Sequence, residues 1–488
     1  MCLTQVTSSK NNDKQEIRPL FEKFKLSDLR HEIRKLLMLA GPIFIGQLSA
    51  SILGVTDSLM SGAISTVDLA AISLGALLYL PVSLFCFGIP FGMGPIAAHL
   101  YGAGKFAEIP RTVFNAIYPS AAVIAPCIIG LFILPDLLLD SVEEPELARK
   151  TVSYLRWMTL ALPAQQIFFI CKNALEGLSV AVPSMVIGIL ICLLNIPANL
   201  VFMYGHLGFP ALGSPGCGIS SALVSWIAAL LIILYAVKSS RLRKSGIRIA
   251  GRFYRPVAED IRHICLVGLP ISVAAVLESS IFTVSGYLLT RFGSATVAAS
   301  QIASTVYTMA FMIPISMSIA VSIRTGQHLG AGSLFRTKLC ALSGFIVSSI
   351  MVIPFMFIIY MNRYDIIGWF TDDPEVIAIA APLFLFVLGY QTQDPFFGTA
   401  MGILRGFKDT RIFMVLNIVI LWGLAVPLAW IVGLTDITGS VRGVNGIWAV
   451  IVSCYYLMTA AFIWRDVWLF RHPGRYLGNG SPNSSEKE

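Results

Sequence analysis

The chain has 488 residues, of which 56% are hydrophobic and 13% charged, and its mean hydropathy is +0.77. No water-soluble domain of this size is so poor in charge, so lipid is the solvent for most of the chain. The formal net charge of +8 then reads as loop charge that sets orientation, and no nucleic-acid partner is expected.

Residues 1–35 form a polar tail, and KFKLSDLRHEIRK within it resembles a short basic amphipathic segment lying on the membrane face. The tail shows no small-residue cleavage site behind a short apolar core, so the first apolar stretch is expected to target the protein to the membrane. Twelve apolar stretches follow, at 36–62, 68–98, 112–135, 151–175, 183–206, 214–237, 263–290, 296–323, 338–360, 376–402, 412–434 and 444–465. Each is long enough for a bilayer-spanning helix. Residues 36–237 therefore make a first six-helix lobe. A basic connector at 238–262 leads to a second lobe at 263–465, and 466–488 is a polar C-terminal tail.

Loop charge alternates in sign. Lys23, Lys25, Arg30, Arg34 and Lys35 lie in the tail, and eight Lys and Arg fall between Lys238 and Arg262. Arg324, Arg336 and Lys338 are read as one later basic loop, and Arg405, Lys408 and Arg411 as another. Two opposite-side loops are acidic, from Asp136 to Glu146 and from Asp365 to Glu375. The excess of positive charge places both termini and the connector in the cytoplasm, and an even helix count agrees.

The chain is also duplicated. Gly102-Ala-Gly104 recurs as Gly330-Ala-Gly332, Glu144-Pro145-Glu146 as Asp373-Pro374-Glu375, and Leu175-Glu176-Gly177-Leu178 as Leu404-Arg405-Gly406-Phe407. Pro42 near the start of the first stretch matches Pro270 near the start of the seventh. All four pairs share nearly one offset. Six helices per copy make the repeats parallel, related by an axis along the membrane normal, which is the layout of an alternating-access transporter.

Few acids lie inside the stretches. Glu278 sits in the middle of GLPISVAAVLESSIFTVSGYLLTR, Gly268 to Arg291, roughly two turns or more from either polar boundary at about 1.5 Å per residue. A carboxylate at that depth costs about 2.5 kcal/mol or more on insertion scales, so it is expected to face a polar cavity and to have a task. Asp394 lies about 16 Å of helical rise before Arg405, at a similar depth. Tyr390 is one turn away on the same face, Gln391 and Gln393 are adjacent, and Pro395 follows. Two acids, a phenol and a loosened carbonyl suit a monovalent cation or a shared proton. In the first lobe Asp57 lies toward the outer end of the first stretch, and Asn195 and Asn199 share a helix face around Pro197.

Other features read as packing. Nine cysteines occur singly without a CxxC pair, and the six histidines show no metal-ligand spacing. Gly102-Ala-Gly104-Lys105 lacks the remaining residues of a phosphate loop and reads as a turn. Gly88 and Gly92 form one GxxxG, the spacing of close helix contact. Lys172 is expected to snorkel from a helix end. Phe282, Phe311, Met312 and Met317 are core, lipid-facing, or part of a greasy pocket for flat organic cations.

These residues together carry a resemblance. VTDSLMSG with Asp57, the YGAG turn, LLNIPANLVFMYG with Asn195 and Asn199, PGCG at 215–218, LESSIF with Glu278, and YQTQD and LRGFKD with Tyr390 and Asp394 resemble multidrug and toxic compound extrusion (MATE) transporters, NorM-like branch, from about residue 35 to 465. The resemblance implies an all-α, V-shaped fold of twelve transmembrane helices in two lobes. It implies efflux of organic cations such as drugs and dyes in exchange for Na⁺ or H⁺, in a bacterial inner membrane, with no other cofactor. Carried over, Glu278, Asp394 and Tyr390 match the C-lobe cation site, with Na⁺ or a proton held by Glu278 and Asp394. Asp57, Asn195 and Asn199 match the N-lobe polar site, and Pro42 the bend of the first helix. Some relatives carry an acid at the second helix-5 position, so Asn199 favours coupling through the C-lobe. A monomer is expected.

Two other readings set the contrast. A lipid-linked sugar flippase of the wider superfamily would present basic residues in its cavity, where this chain has acids. A membrane enzyme would need clustered loop acids for Mg²⁺, where only Glu259, Asp260 and Asp409 are scattered.

Overall fold

In the computed structural model, residues 25–139, 144–244, 254–435 and 443–473 are described. The described residues are mostly helical and contain no strand. The first lobe comprises α1 (Leu26–Gly62), α2 (Thr66–Gly102), α3 (Glu108–Asn115) continued by α4 (Ile117–Leu139), α5 (Pro145–Gly177), α6 (Val182–Phe202) and α7 (Ser214–Lys238). After a short α8 (Ser240–Lys244), the second lobe comprises α9 (Ala258–Leu289), α10 (Ser294–Gly330), α11 (Leu334–Met361), a short α12 (Arg363–Gly368), α13 (Pro374–Gly406), α14 (Thr410–Leu416), α15 (Val426–Leu434) and α16 (Gly443–Arg471). A π-helical segment, Asn417–Ala425, joins α14 to α15.

Among the described residues, eleven of these crossings are long and apolar enough to span a membrane. The twelfth long helix, α5, is more polar, because it carries Arg156, Gln165, Gln166, Lys172 and Glu176. The expected stretch at 151–175 holds all of these but Glu176, and partners make several of them tolerable: Gln165 accepts from Tyr79, and Lys172 turns to Glu176. The helix ends follow ordinary local rules. Ser65 and Ser333 accept hydrogen bonds from the amides of Asp68 and Arg336 at the starts of α2 and α11. Pro145 and Pro374 open the equivalent helices α5 and α13, where a missing N–H costs nothing.

Three boundaries differ from expectation. The amphipathic stretch at 26–35 is continuous with α1, which passes Pro42 unbroken in its helical assignment. The α10 helix runs on to Gly330, so Arg324 belongs to a helix and not to a loop. The α16 helix continues to Arg471, past the expected end at 465.

The duplication is visible in backbone angles. Gly104 and Gly332 have φ of 71° and 73°, and Ser179 and Lys408 have φ of 58° and 61°. Equivalent loops therefore leave equivalent helices through the same left-handed step, although one uses a serine and the other a lysine.

The two lobes meet most closely at the end of the bundle where the connector lies, here called the connector face. A Cβ on Gly102 would fall 1.9 Å from the carbonyl oxygen of Gln327, and one on Gly330 would fall 2.1 Å from that of His99. Gly102 and Gly330 are repeat equivalents, as are His99 and Gln327, so α2 and α10 cross reciprocally about the pseudo-twofold axis. Farther in, Gly88 and Gly92 of α2 press against Ser272 and Gly268 of α9, which is the helix contact their spacing predicts. Toward the other end, the polar contact recorded between the lobes among the described residues is Ser51 on Met312 at 3.9 Å.

Candidate functional site

The second lobe gathers three sequence-singled residues. Asp394 on α13 is fully buried, and its carboxylate accepts from Gln393 Nε2 at 2.8 Å and, more weakly, from Gln391 Nε2 at 3.4 Å. The Gln393 carbonyl oxygen accepts in turn from Thr459 on α16, which fixes that amide with its NH₂ toward Asp394. Tyr390, one turn before Asp394, packs its ring on Tyr307 at 4.6 Å and Tyr455 at 5.4 Å. Phe282 and Phe311 extend this aromatic face along α9 and α10, each within 6 Å of Tyr307.

Glu278 enters from α9 and is half-buried. Among the described residues no hydrogen bond or ion pair reaches its carboxylate. Glu278 and Asp394 do lie close enough for each charge to act on the other. The backbone around Glu278 is braced instead: Trp422 in the π-helical segment donates to the carbonyl of Leu277 at 3.2 Å. A π-helical turn widens a helix locally and is often found at functional sites.

The first-lobe residues also come together, but differently. Asn199 donates to Asp57 at 2.7 Å and to Asn195 at 3.0 Å, and Ser221 of α7 donates to Asp57 at 3.3 Å. Asp57 is thus supplied with donors where Glu278 is not. The two groups sit in separate lobes.

Several functional-looking residues escape a sequence reading. Arg405, expected as loop charge, is half-buried, lies over the Phe413 ring at 5.3 Å, and is within range of the Glu278 charge. Its repeat partner Glu176 is buried, and Lys172 turns inward to it at 3.8 Å instead of snorkelling, with its ammonium 5.4 Å from the Phe169 ring. Glu32, Arg324 and His328 form a buried cluster between the lobes. The repeat alignment already pairs Arg405 with Glu176, an acid at the equivalent helix end, a usable signal; Glu32 lies in a tail-like sequence that offers none. Among the described residues no three His, Cys, Asp or Glu side chains cluster to hold a metal ion.

Two six-helix repeats enclosing isolated intramembrane acids define a membrane transporter and not an enzyme. The MatE family profile matches residues 42–201 and again 270–431, one copy per lobe. The chain is 34% identical over 424 residues to the multidrug resistance protein NorM of Photobacterium profundum, covering 87% of this chain and 92% of that one. It is 34% identical over 421 residues to the multidrug resistance protein MdtK of Photorhabdus laumondii, covering 86% and 91%. The fold superposes on the eukaryotic MATE transporter AtDTX14 with a TM-score of 0.80 at 18% identity, covering 92% of this chain and 98% of that one. An outward-facing MATE family transporter superposes equally, with a TM-score of 0.80 at 18% identity and coverage of 92% and 99%. The chain belongs to the MatE family.

Proposed function

We propose that this protein exports organic cations, drugs and dyes among them, across a bacterial inner membrane in exchange for inward Na⁺ or H⁺. The observation that carries this is Glu278: a carboxylate inside a membrane helix, without a partner among the described residues, in the field of the fully buried Asp394. Two acids held so close repel when both are charged, and a proton or sodium ion relieves that repulsion. An organic cation is drawn to the same negative charge and to the aromatic faces of Phe282, Tyr307 and Phe311. Coupling ion and drug therefore compete, and the relatives named for multidrug resistance support that substrate class.

The two-lobe construction supports an alternating-access cycle. The contacts at the connector face close that side, and loop charge makes it the cytoplasmic side, with both termini there. Ion binding from outside neutralises Glu278 and Asp394, releases drug outward, and lets the lobes rock. Asp57, Asn195 and Asn199 serve the N-lobe as a polar site whose acid is stabilised by amide donors. Pro42 provides the place where α1 bends during the cycle, and the transporter works as a monomer.

The test is ethidium efflux from cells expressing Glu278→Gln or Asp394→Asn at wild-type membrane abundance. Efflux at least tenfold slower is expected for both. Undiminished efflux in either would remove that residue from the site.

A further inference from the structure

Asp466 is a second acid the transport reading leaves unused. It lies on α16 and is 3% exposed. Among the described residues neither carboxylate oxygen has a hydrogen-bond partner. Buried carboxylates of this kind are rare, because the charged form needs a donor or a cation beside it. Tyr455, Thr459, Phe462 and Asp466 are spaced four, three and four apart, so they share one face of α16. That face is already tied to the cation site, since Thr459 bonds Gln393, which bonds Asp394. Asp466 is seven residues further toward the connector face, about 10 Å at helical rise.

Between the two acids lies an aromatic stack. Phe397 meets Phe462 at 5.5 Å, and Phe462 meets Phe413 at 5.6 Å. Arg405 lies over the Phe413 ring at 5.3 Å, with its Nε buried and unpartnered. Thr410 Oγ1, Asn417 Oδ1 and the Tyr455 hydroxyl are likewise buried without partners. Unsatisfied polar atoms therefore line the helices α14 and α16 and the π-helical segment on both sides of the stack. Near Asp466 the charged groups are Asp409, within range of its charge, and Arg465, whose Nε is committed to Asp409 at 2.8 Å. Among the described residues no cation neutralises Asp466 directly.

We propose that Asp466 is a second binding station for the coupling monovalent cation, on the connector side of the C-lobe, reached from Glu278 and Asp394 past the Phe397–Phe462–Phe413 stack. This rests on the reading of Glu278 and Asp394 as the first station. The aromatic stack separates the stations, so that the ion passes from one to the other only when these rings shift. Arg405, poised over Phe413 and in range of Glu278, repels a second cation until the first has moved on.

The test uses the wild-type protein in vesicles and dicyclohexylcarbodiimide, which modifies protonated carboxyls in apolar surroundings, with peptide mass spectrometry at Asp466 and Glu278. Modification at Asp466 is expected to fall at least threefold when sodium replaces choline at fixed pH, if the cation is Na⁺. It is expected to fall equally on raising pH without sodium, if the cation is H⁺. Protection at Glu278 with none at Asp466, or no modification of Asp466 at any pH, overturns the second station and leaves the first intact. Absence of protection at both residues overturns the reading beneath it. In parallel, Asp466→Asn should lose at least tenfold in gradient-driven efflux while drug–drug exchange stays within twofold, and Asp466→Glu should recover most of the loss. Wild-type gradient-driven efflux in Asp466→Asn overturns the proposal.

Discussion

The Glu32 carboxylate on α1 accepts two hydrogen bonds from the Arg324 guanidinium on α10, at 2.8 and 2.7 Å, across the boundary between the lobes. His328 sits 3.1 Å from the same carboxylate, and Gln327 donates to the carbonyl of Gly177 at 2.8 Å. On the neighbouring side Arg111 and Asn115 of α3 hold Asp260 of α9, each at 2.8 Å. The connector face is thus closed by charge-assisted bonds, buried at Glu32 and Arg324 and partly exposed at Arg111, that an inward-opening step has to break.

Removing one partner of a buried ion pair costs about 3–5 kcal/mol, because the other charge is stranded. That matches or exceeds the few kcal/mol that separate the states of a conformational equilibrium. Glu32→Gln should therefore shift the protein toward connector-side opening. Spin labels at Ser27 on α1 and Arg336 on α11 should show a new, longer distance population. The double exchange Glu32→Arg with Arg324→Glu should restore the shorter one. An unchanged distribution in Glu32→Gln would show that the pair does not hold the lobes.

The reciprocal glycines make a steric counterpart. Gly330→Ala places a methyl 2.1 Å from the His99 carbonyl oxygen, a contact that backbone atoms cannot relieve by rotating. The mutant should reach the membrane yet fail to close its connector face, with dye efflux at least tenfold down. Gly46→Ala, with nothing within 4 Å of the added Cβ, should transport normally.

Lys408 lies in the loop after α13, and burial pushes its ammonium down to about 8 from the ordinary 10.5. Between those values the unfolded chain holds a proton that the folded one has lost. Stability should therefore rise as pH goes from about 8 to about 10.5, the full penalty applying below 8. Its φ of 61° adds strain for a non-glycine residue. Lys408→Gly should raise stability at pH 7 by about 1 kcal/mol from the backbone alone. It should also flatten the alkaline rise, as read by thermal melting in detergent from pH 7 to 10.5.

Asn199→Ala removes the 2.7 Å donor of Asp57. Leaving a buried acceptor short of a bond costs about 1–3 kcal/mol, so the melting temperature should drop. Efflux should fall less than in Glu278→Gln, since the acid itself remains. Equal loss in both would move the coupling site to the N-lobe.

The fold was legible because its determinants are local and periodic: long apolar runs, capping residues, and repeats spaced by nearly one offset. Glu278, Asp394 and Asp57 stood out because intramembrane charge is costly whatever surrounds it. Arg324 did not, because a helix end and a loop look alike when the last two turns are polar. Glu32 and Asp466 were hidden in stretches that read as tails, and only packing shows them buried. The asymmetry between Asp57, ringed by donors, and Glu278, with none among the described residues, depends on side chains from four different helices and has no trace in spacing.

The most direct measurement is dye efflux from proteoliposomes under an inward sodium gradient alone, then an inward proton gradient alone, for the wild type and Glu278→Gln. The account predicts that at least one gradient drives efflux in the wild type and that Glu278→Gln responds to neither. Gradient-driven efflux at the wild-type rate in Glu278→Gln would contradict it.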